Sequence, residues 1–328
     1  MLNKSNTTHY RIQRYALPCL CILLVTSLLA ACHKPSAEVH FMRFDRFLFE
    51  PGHAGLDASQ FNSPLINYQP GDPQFMAIVD DFVHDEAVSY IYRTTDSLYG
   101  DLGDVEQQLG KALAKAEKLC PSMHYDRFYT LVTADFDDYH NRVFCTDNEL
   151  AVSLDRYALP AMQRYGCFGT PAYILALSRK EYIAPDCMAA IARQHIVMPD
   201  GQPTLLDYMV AEGKVQYFLE HTMPQTADTL RLRYSSAQLE WMKHTVGKVW
   251  AFYIENKMLY SNDYSQLRNY VDDAPKTNAF GEGSAPRTTD YIGWQIVRQY
   301  VKHSNCSMDD LFAESDSQKI LTQSTWRP

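Results

Sequence analysis

The first 32 residues limit what this chain can fold into, because their pattern is that of an export signal and not of a globular core. Three basic residues precede an apolar run over 15–29, and Ala30, Ala31 and Cys32 follow it. A basic start, an apolar centre and small residues before a cleavage point are typical of a secretory signal. The run is shorter than the ~20 apolar residues of a membrane-spanning helix. We therefore expect residues 1–31 to be removed as a signal peptide.

The residues around Cys32 resemble the lipobox of bacterial lipoproteins, since Leu-Ala-Ala directly precedes this cysteine. In that pattern the cysteine becomes the acylated first residue, and several acyl chains of the palmitate kind give stable membrane attachment. An ordinary signal and a transmembrane anchor are the alternatives. The resemblance predicts a lipidated tether over 32–38 and one globular domain over 39–328. Residue 33 is His and not the Asp of an inner-membrane retention signal, so we expect the outer membrane, facing the periplasm.

The composition is that of an acidic globular protein. Of 328 residues, 46% are hydrophobic and 21% are charged, which allows a sizeable core. The formal net charge is −9, and loss of the basic signal makes it more negative. Nucleic acid needs a basic binding face, so we do not expect it as a partner, and nothing predicts a cofactor. The cysteines outside the signal are odd in number, which predicts at least one free thiol: Cys120, Cys145, Cys167, Cys187 and Cys306.

The order of helical and strand patterns predicts an α+β fold that is mostly helical, with a small antiparallel or mixed sheet. Helical spacing covers 72–93 and 105–119, and a long helical region follows Pro160. Strand-like runs rich in aromatic and β-branched residues lie at 39–50, 127–135, 142–145 and 149–157, and the turn-forming residues after Cys145 allow the last two runs to pair as a hairpin. Because strands do not alternate with helices, this order argues against a doubly wound fold.

One predicted helix, from Thr204 to about His221, carries a carboxylate that needs an explanation. Thr204 and Asp207 form a capping box at its start. Gly213 in mid-helix costs roughly 1 kcal/mol relative to Ala, which indicates close packing by another element. Glu212 lies at the edge of the apolar face, with no Lys or Arg three or four residues away. It therefore needs a metal, a distant Arg or water as a partner.

The sequence over 205–218 resembles the segment downstream of His-Glu-x-x-His in zincin-like metallopeptidases. The resemblance makes Glu212 the counterpart of their third zinc ligand. The upstream window over 187–195 holds one His and no acid, and no His-Glu-x-x-His occurs anywhere. Since His195 and Glu212 are at most two ligands and catalytic zinc normally has three, we expect a zincin-like core without metal or catalysis.

The same resemblance places the loop over 281–287 at the border of a residual cleft. Arg287 is the predicted partner of Glu212, and Tyr291 and Trp294 are candidate lining residues together with His195. The alternative is that Tyr291 and Trp294 are packing residues and that Arg287 is a solvated loop charge.

Six segments in a fixed order behind the lipobox resemble the GldB family of gliding-motility-associated lipoproteins. They lie at 41–49, 150–157, 204–214, 254–261, 291–300 and 318–324. One departure is Ala158, where the family pattern leads us to expect Gly, and it alters only a turn.

The resemblance to GldB implies an accessory or scaffold lipoprotein of envelope motility or secretion machinery, with other envelope proteins as partners. It implies no reaction, because the family is not an established enzyme class. Two alternatives remain. One is a metal-dependent, peptidase-like hydrolase with a non-standard site, and the other is a lipoprotein that binds peptide or glycan in the residual cleft.

Overall fold

The computed structural model describes residues 38–50, 57–135, 140–165 and 170–328, so the predicted signal peptide and Cys32 lie outside it. Its four-stranded sheet has the order β1-β2-β4-β3. The strands are β1 (Phe41–Arg43), β2 (Arg127–Leu131), β3 (Val143–Cys145) and β4 (Glu149–Ser153). β2 pairs in parallel with β1 and β4, and β3 and β4 form the predicted antiparallel hairpin. This small mixed sheet in a mainly helical chain confirms the predicted α+β class.

Helices make up most of the described chain. They are α1 (Phe44–Phe49), α2 (Pro73–His84), α3 (Glu86–Tyr99), α4 (Gly103–Leu119), α5 (Leu159–Tyr165), α6 (Ala172–Leu175), α7 (Ile183–His195), α8 (Leu205–Thr222), α9 (Asp228–Leu232), α10 (Ser236–Glu255), α11 (Tyr264–Val271), α12 (Thr288–Ser304), α13 (Met308–Ala313) and α14 (Ser317–Ser324). Within the described ranges, none of them has the length and apolar character to cross a bilayer.

The sheet is covered on both faces, which explains why all five residues of β4 are buried. Helix α7 packs against β3 and β4. A separate aromatic cluster contains Tyr129 of β2 and Ala151 of β4, together with Phe61 and Tyr68. The cysteines of the described chain are free thiols, as predicted for at least one of them: Cys120, Cys145, Cys187 and Cys306.

The predicted strand over 39–50 is wrong beyond Arg43, because α1 begins at the next residue. The aromatic residues Phe44 and Phe47 have helical spacing, and both rings contact Phe61 and Tyr68. A run of aromatic residues satisfies strand propensity and helix spacing at once, and here the tertiary contact with the aromatic cluster selects the helix.

Two other predicted segments are interrupted by buried or capping carboxylates. The helical pattern over 72–93 divides at Asp85, whose Oδ1 accepts from the backbone N–H groups of Ala87 and Val88 at 2.9 Å and so starts α3. The strand predicted over 149–157 ends at Ser153, whose hydroxyl donates to buried Asp155 at 2.6 Å within a 3₁₀ turn.

Helices α8 and α12 make the most extensive contact between two elements of the described chain, and their backbones touch. Gly213 of α8 faces Gly293 of α12. A methyl group on Gly293 would overlap the carbonyl oxygen of Met209, and one on Gly213 would overlap the backbone of Gly293. This confirms the close packing that the mid-helix position of Gly213 predicted.

We expect Gly293→Ala to lower the free energy of unfolding by about 3 kcal/mol or more, because the added methyl group meets rigid backbone and not a movable side chain. Urea unfolding followed by far-UV circular dichroism measures this. Gly247→Ala is the matched control: this glycine of α10 is exposed and its added methyl group would meet only Pro328 Cβ, at an ordinary contact distance of 4.0 Å, so alanine should stabilise the protein by up to about 1 kcal/mol. Equal effects of the two substitutions would contradict the packing argument.

Candidate functional site

Glu212 is held by Arg193, which lies in the last turn of α7 opposite the middle of α8. The Nε and Nη2 atoms of Arg193 donate to Oε1 and Oε2 of Glu212 at 2.7 and 2.8 Å. Two parallel bonds between a guanidinium and a carboxylate are among the stronger polar contacts in proteins. Burial opposes ionisation of Glu212, but the charge and hydrogen bonds of Arg193 hold the pKa of this carboxylate below its usual value. The predicted need for a partner is thus met by an arginine of the 187–195 window.

The prediction that Arg287 is the direct partner of Glu212 is wrong, and so is the alternative of a solvated loop charge. Arg287 is 8% exposed and its guanidinium is used by other groups. Nη1 donates to Asp290 at 3.1 Å, Nη2 donates to the carbonyl oxygen of Leu232 at 2.6 Å, and Nε lies 3.1 Å from Asp273. Arg287 reaches these partners from the residue preceding α12, where its side chain points across the start of the helix.

A third arginine, Arg233, extends this network toward the sheet. Its Nη2 donates to Asp186 at 2.5 Å, and its Nη1 lies 3.6 Å from Asp273, the carboxylate that also meets Arg287. Asp186 in turn accepts a hydrogen bond from the hydroxyl of Tyr157 at 2.8 Å. Burial opposes ionisation of Asp273, yet the neighbouring arginines lower the pKa of this carboxylate well below its usual range.

Asp290 behaves in the opposite way, although it also faces Arg287. It is 1% exposed, and burial together with the nearby charge of Glu212 raises its pKa to about 7, despite the opposing charge of Arg287. The physical reason is that Arg287 is shared with Asp273, so its charge only partly offsets the loss of hydration at Asp290.

These charged groups line a cavity of about 770 Å³. Helices α8, α11 and α12 and the loop between α11 and α12 supply most of its walls. The described side chains with charge that line it are Arg193, Arg233, Arg268, Lys276, Arg287, Glu212, Asp272, Asp273 and Asp290. Three tyrosines, Tyr173, Tyr208 and Tyr264, provide its aromatic surface. A smaller cavity of about 330 Å³ shares Arg193 and Arg233 with it.

The structure brings together only two of the predicted cleft residues, Glu212 and Arg287. Trp294 lies away from the cavity lining, with its Nε1 donating to Glu220 at 2.8 Å and its ring between two arginine side chains. Tyr291 packs edge-to-face on Trp294, with ring centroids 6.0 Å apart.

His195 is also separate from the cavity lining. Its Nε2 lies 3.5 Å from the hydroxyl of Tyr125, and burial lowers its pKa. His195 follows Arg193 by two positions on α7, so the helix turns the two side chains to different faces. Within residues 38–50, 57–135, 140–165 and 170–328, no three His, Cys, Asp or Glu side chains are grouped so that they could hold a metal ion.

Sequence reasoning missed most of the ionic network, for an identifiable reason. Arg233, Asp273 and Arg287 lie in loops or at helix ends, where no periodic pattern marks them. Arg193 lies within the 187–195 window, but a lone arginine at the end of an amphipathic helix is usually a solvated charge. The one available signal was the unpaired Glu212, which predicted a partner without identifying it.

Fold and site together describe a mainly helical α+β protein in which a small sheet supports a charged cavity. Comparison with known families identifies it further. The model of the family described as gliding motility protein GldB matches residues 30–328. The chain belongs to this family and is therefore a gliding-motility-associated lipoprotein. No match is found among curated proteins or among solved structures, so the zincin-like core stays a prediction.

We expect the difference in free energy of unfolding, wild type minus Asp290→Asn, to fall as pH rises from about 4 to about 7. The folded-state pKa of about 7 lies above the ordinary value of 3.8, so the unfolded chain ionises first and folding then opposes ionisation. The fall should reach a few kcal/mol, at about 1.4 kcal/mol per pKa unit, and level off above pH 7.

Urea unfolding of both proteins across this pH range measures the difference. Asp200→Asn, at an exposed loop position, is the matched control. A difference between wild type and Asp290→Asn that is constant with pH would contradict the assignment.

Proposed function

We propose that this chain is a non-catalytic accessory or scaffold lipoprotein of the cell envelope, which binds other envelope proteins of motility or secretion machinery. Membership of the GldB family supports the association with gliding motility. The observation that carries the non-catalytic part is the two-bond pairing of Arg193 with Glu212.

That pairing opposes a metal site at Glu212 for a physical reason. A zinc ion at this position would need both an additional set of ligands and the removal of a guanidinium from its carboxylate. The displaced Arg193 would keep its positive charge beside the metal, which repels the cation. Glu212 is thus a structural carboxylate that joins α7 to α8.

For attachment, we propose that acylated Cys32 anchors the domain to the outer membrane, with residues 33–38 as its tether and the domain in the periplasm. Two observations support the anchor: the lipobox-like residues before Cys32, and the membership of the chain in a family of lipoproteins. The second candidate function, a metal-dependent hydrolase, rests on Glu212 alone and requires that Arg193 release it.

We expect full-length protein, purified in detergent and dialysed without chelator, to contain zinc only at background level. Elemental analysis by mass spectrometry measures this, and Glu212→Gln should contain the same background amount. One zinc per chain in the wild type, lost in Glu212→Gln, would support the hydrolase instead. Glu240→Gln, which breaks an exposed pair with Lys243 on α10, is the matched control for the loss of a carboxylate.

We expect Cys32→Ser to leave the membrane fraction and to lose the envelope proteins that crosslink to the wild type in cells. Glu212→Gln should keep both the membrane attachment and the same crosslinked proteins. Cell fractionation and mass spectrometry of the crosslinked complexes measure the two effects. Loss of the crosslinked proteins in Glu212→Gln, with its fold intact by circular dichroism, would count against a role of Glu212 that is only structural.

A further inference from the structure

One wall of the 770 Å³ cavity combines two aromatic rings with two arginines. The rings of Tyr208 on α8 and Tyr264 on α11 lie 6.1 Å apart. Glu212, which holds Arg193, is one helical turn beyond Tyr208, and Arg268 is one turn beyond Tyr264. Residues four apart on a helix lie on the same face, so Glu212 and Arg268 lie on the faces of α8 and α11 that carry the two rings.

Both arginines of this wall have N–H groups that form no hydrogen bond to a described residue. Arg193 uses Nε and Nη2 for Glu212, its Nη1 has no hydrogen bond to any described residue, and its side chain is 49% exposed. Arg268 is exposed, and its guanidinium forms no hydrogen bond or ion pair within the part of the chain that the structure describes. Arginine presents five N–H donors in a planar fork that matches the two oxygens of a carboxylate.

The charge balance favours a ligand with a single negative charge. Among the described residues that line the cavity, five side chains are Lys or Arg and four are Asp or Glu. One of the four, Asp290, has its pKa raised by burial to about 7 and is therefore partly neutral near neutral pH. A local excess of positive charge in a chain of net charge −9 attracts small anions to this cavity.

Two of the cavity arginines are also held in a strained backbone conformation. Arg233 and Arg287 have φ angles of 56° and 41°, in the left-handed region that side chains other than glycine adopt at a cost of about 1–2 kcal/mol. Such outliers cluster at ligand-binding sites, where the surrounding contacts enforce them. Here the ion pairs with Asp186, Asp273 and Asp290 provide that enforcement.

We propose that this cavity binds a small organic carboxylate. The carboxylate lies between the free N–H groups of Arg193 and Arg268, and the organic part packs on Tyr208 and Tyr264. The volume lies within the range of about 300–1,000 Å³ that is usual for small-molecule sites. A phosphate monoester fits less well, because its second negative charge would lie close to the carboxylates of the same cavity. Asp272 presents an oxygen for an N–H or O–H group of the ligand, since only its Oδ1 is used, by Tyr264.

The test uses hippurate as the probe, since it joins a carboxylate to an amide and an aromatic ring. Calorimetric titration of the full-length protein in detergent should show binding at millimolar concentration or tighter. Hippuramide, its neutral counterpart, should bind at least about tenfold more weakly, because one charge-assisted contact contributes about 1.5 kcal/mol or more. Phenyl phosphate should also bind more weakly than hippurate.

Arg268→Gln should weaken hippurate binding about tenfold. The protein should lose no stability, because this substitution breaks no ion pair. Arg268→Lys, which keeps the charge, should lose less. Arg93→Gln, at an exposed position of α3 outside the cavity, is the matched control and should bind as the wild type does.

Absence of hippurate binding, equal binding of hippurate and hippuramide, tighter binding of phenyl phosphate, or an unchanged affinity in Arg268→Gln would each overturn the proposal. Its outcome is independent of the zinc measurement, because Arg268 and the two tyrosines carry it whether or not the protein is catalytic.

Discussion

The backbone contact between α8 and α12 at Gly213 and Gly293 is the constraint on which the rest of the structure depends. Two helices can approach this closely only where neither has a side chain, and a methyl group on either glycine would separate them. Because α8 carries Glu212 and Tyr208, and α12 starts beside Arg287, the depth of this contact sets the distance between the two charged walls of the cavity. A substitution at either glycine should therefore change the cavity as well as the stability.

The buried charges around Asp273 are stabilised because Arg233 and Arg287 each pair with more than one acidic residue. Isolated buried ions are strongly disfavoured, whereas Asp273, shared between Arg233 and Arg287, remains ionised. Where sharing leaves too little compensation, as at Asp290, the pKa rises instead. The same network explains how a lipoprotein of the GldB family can keep a polar cavity lined by so many charged side chains. The N–H groups of Arg193 and Arg268 that form no hydrogen bond to a described residue remain available to a ligand.

Much of the fold could be predicted from local patterns. The α+β class, the β3–β4 hairpin, the helix that Thr204 and Asp207 cap, and the close packing at Gly213 are all confirmed. The failures occurred where one pattern suits two structures. The aromatic run after Arg43 has both strand propensity and helical spacing, and only its contact with Phe61 and Tyr68 decides between them. Caps and periodicity depend on neighbours within a few residues, which is why these predictions succeeded.

The sequence by itself determined the family, the helix that Thr204 and Asp207 cap, and the fact that Glu212 required a partner. Only the tertiary structure decided that the partner is Arg193, and that Arg287 belongs to Asp273 and Asp290. Any of several arginines satisfies the charge requirement of a lone carboxylate, so the sequence cannot distinguish them. The choice follows from the angle and depth at which α7, α8 and α12 pack, and these depend on contacts between residues far apart in the chain.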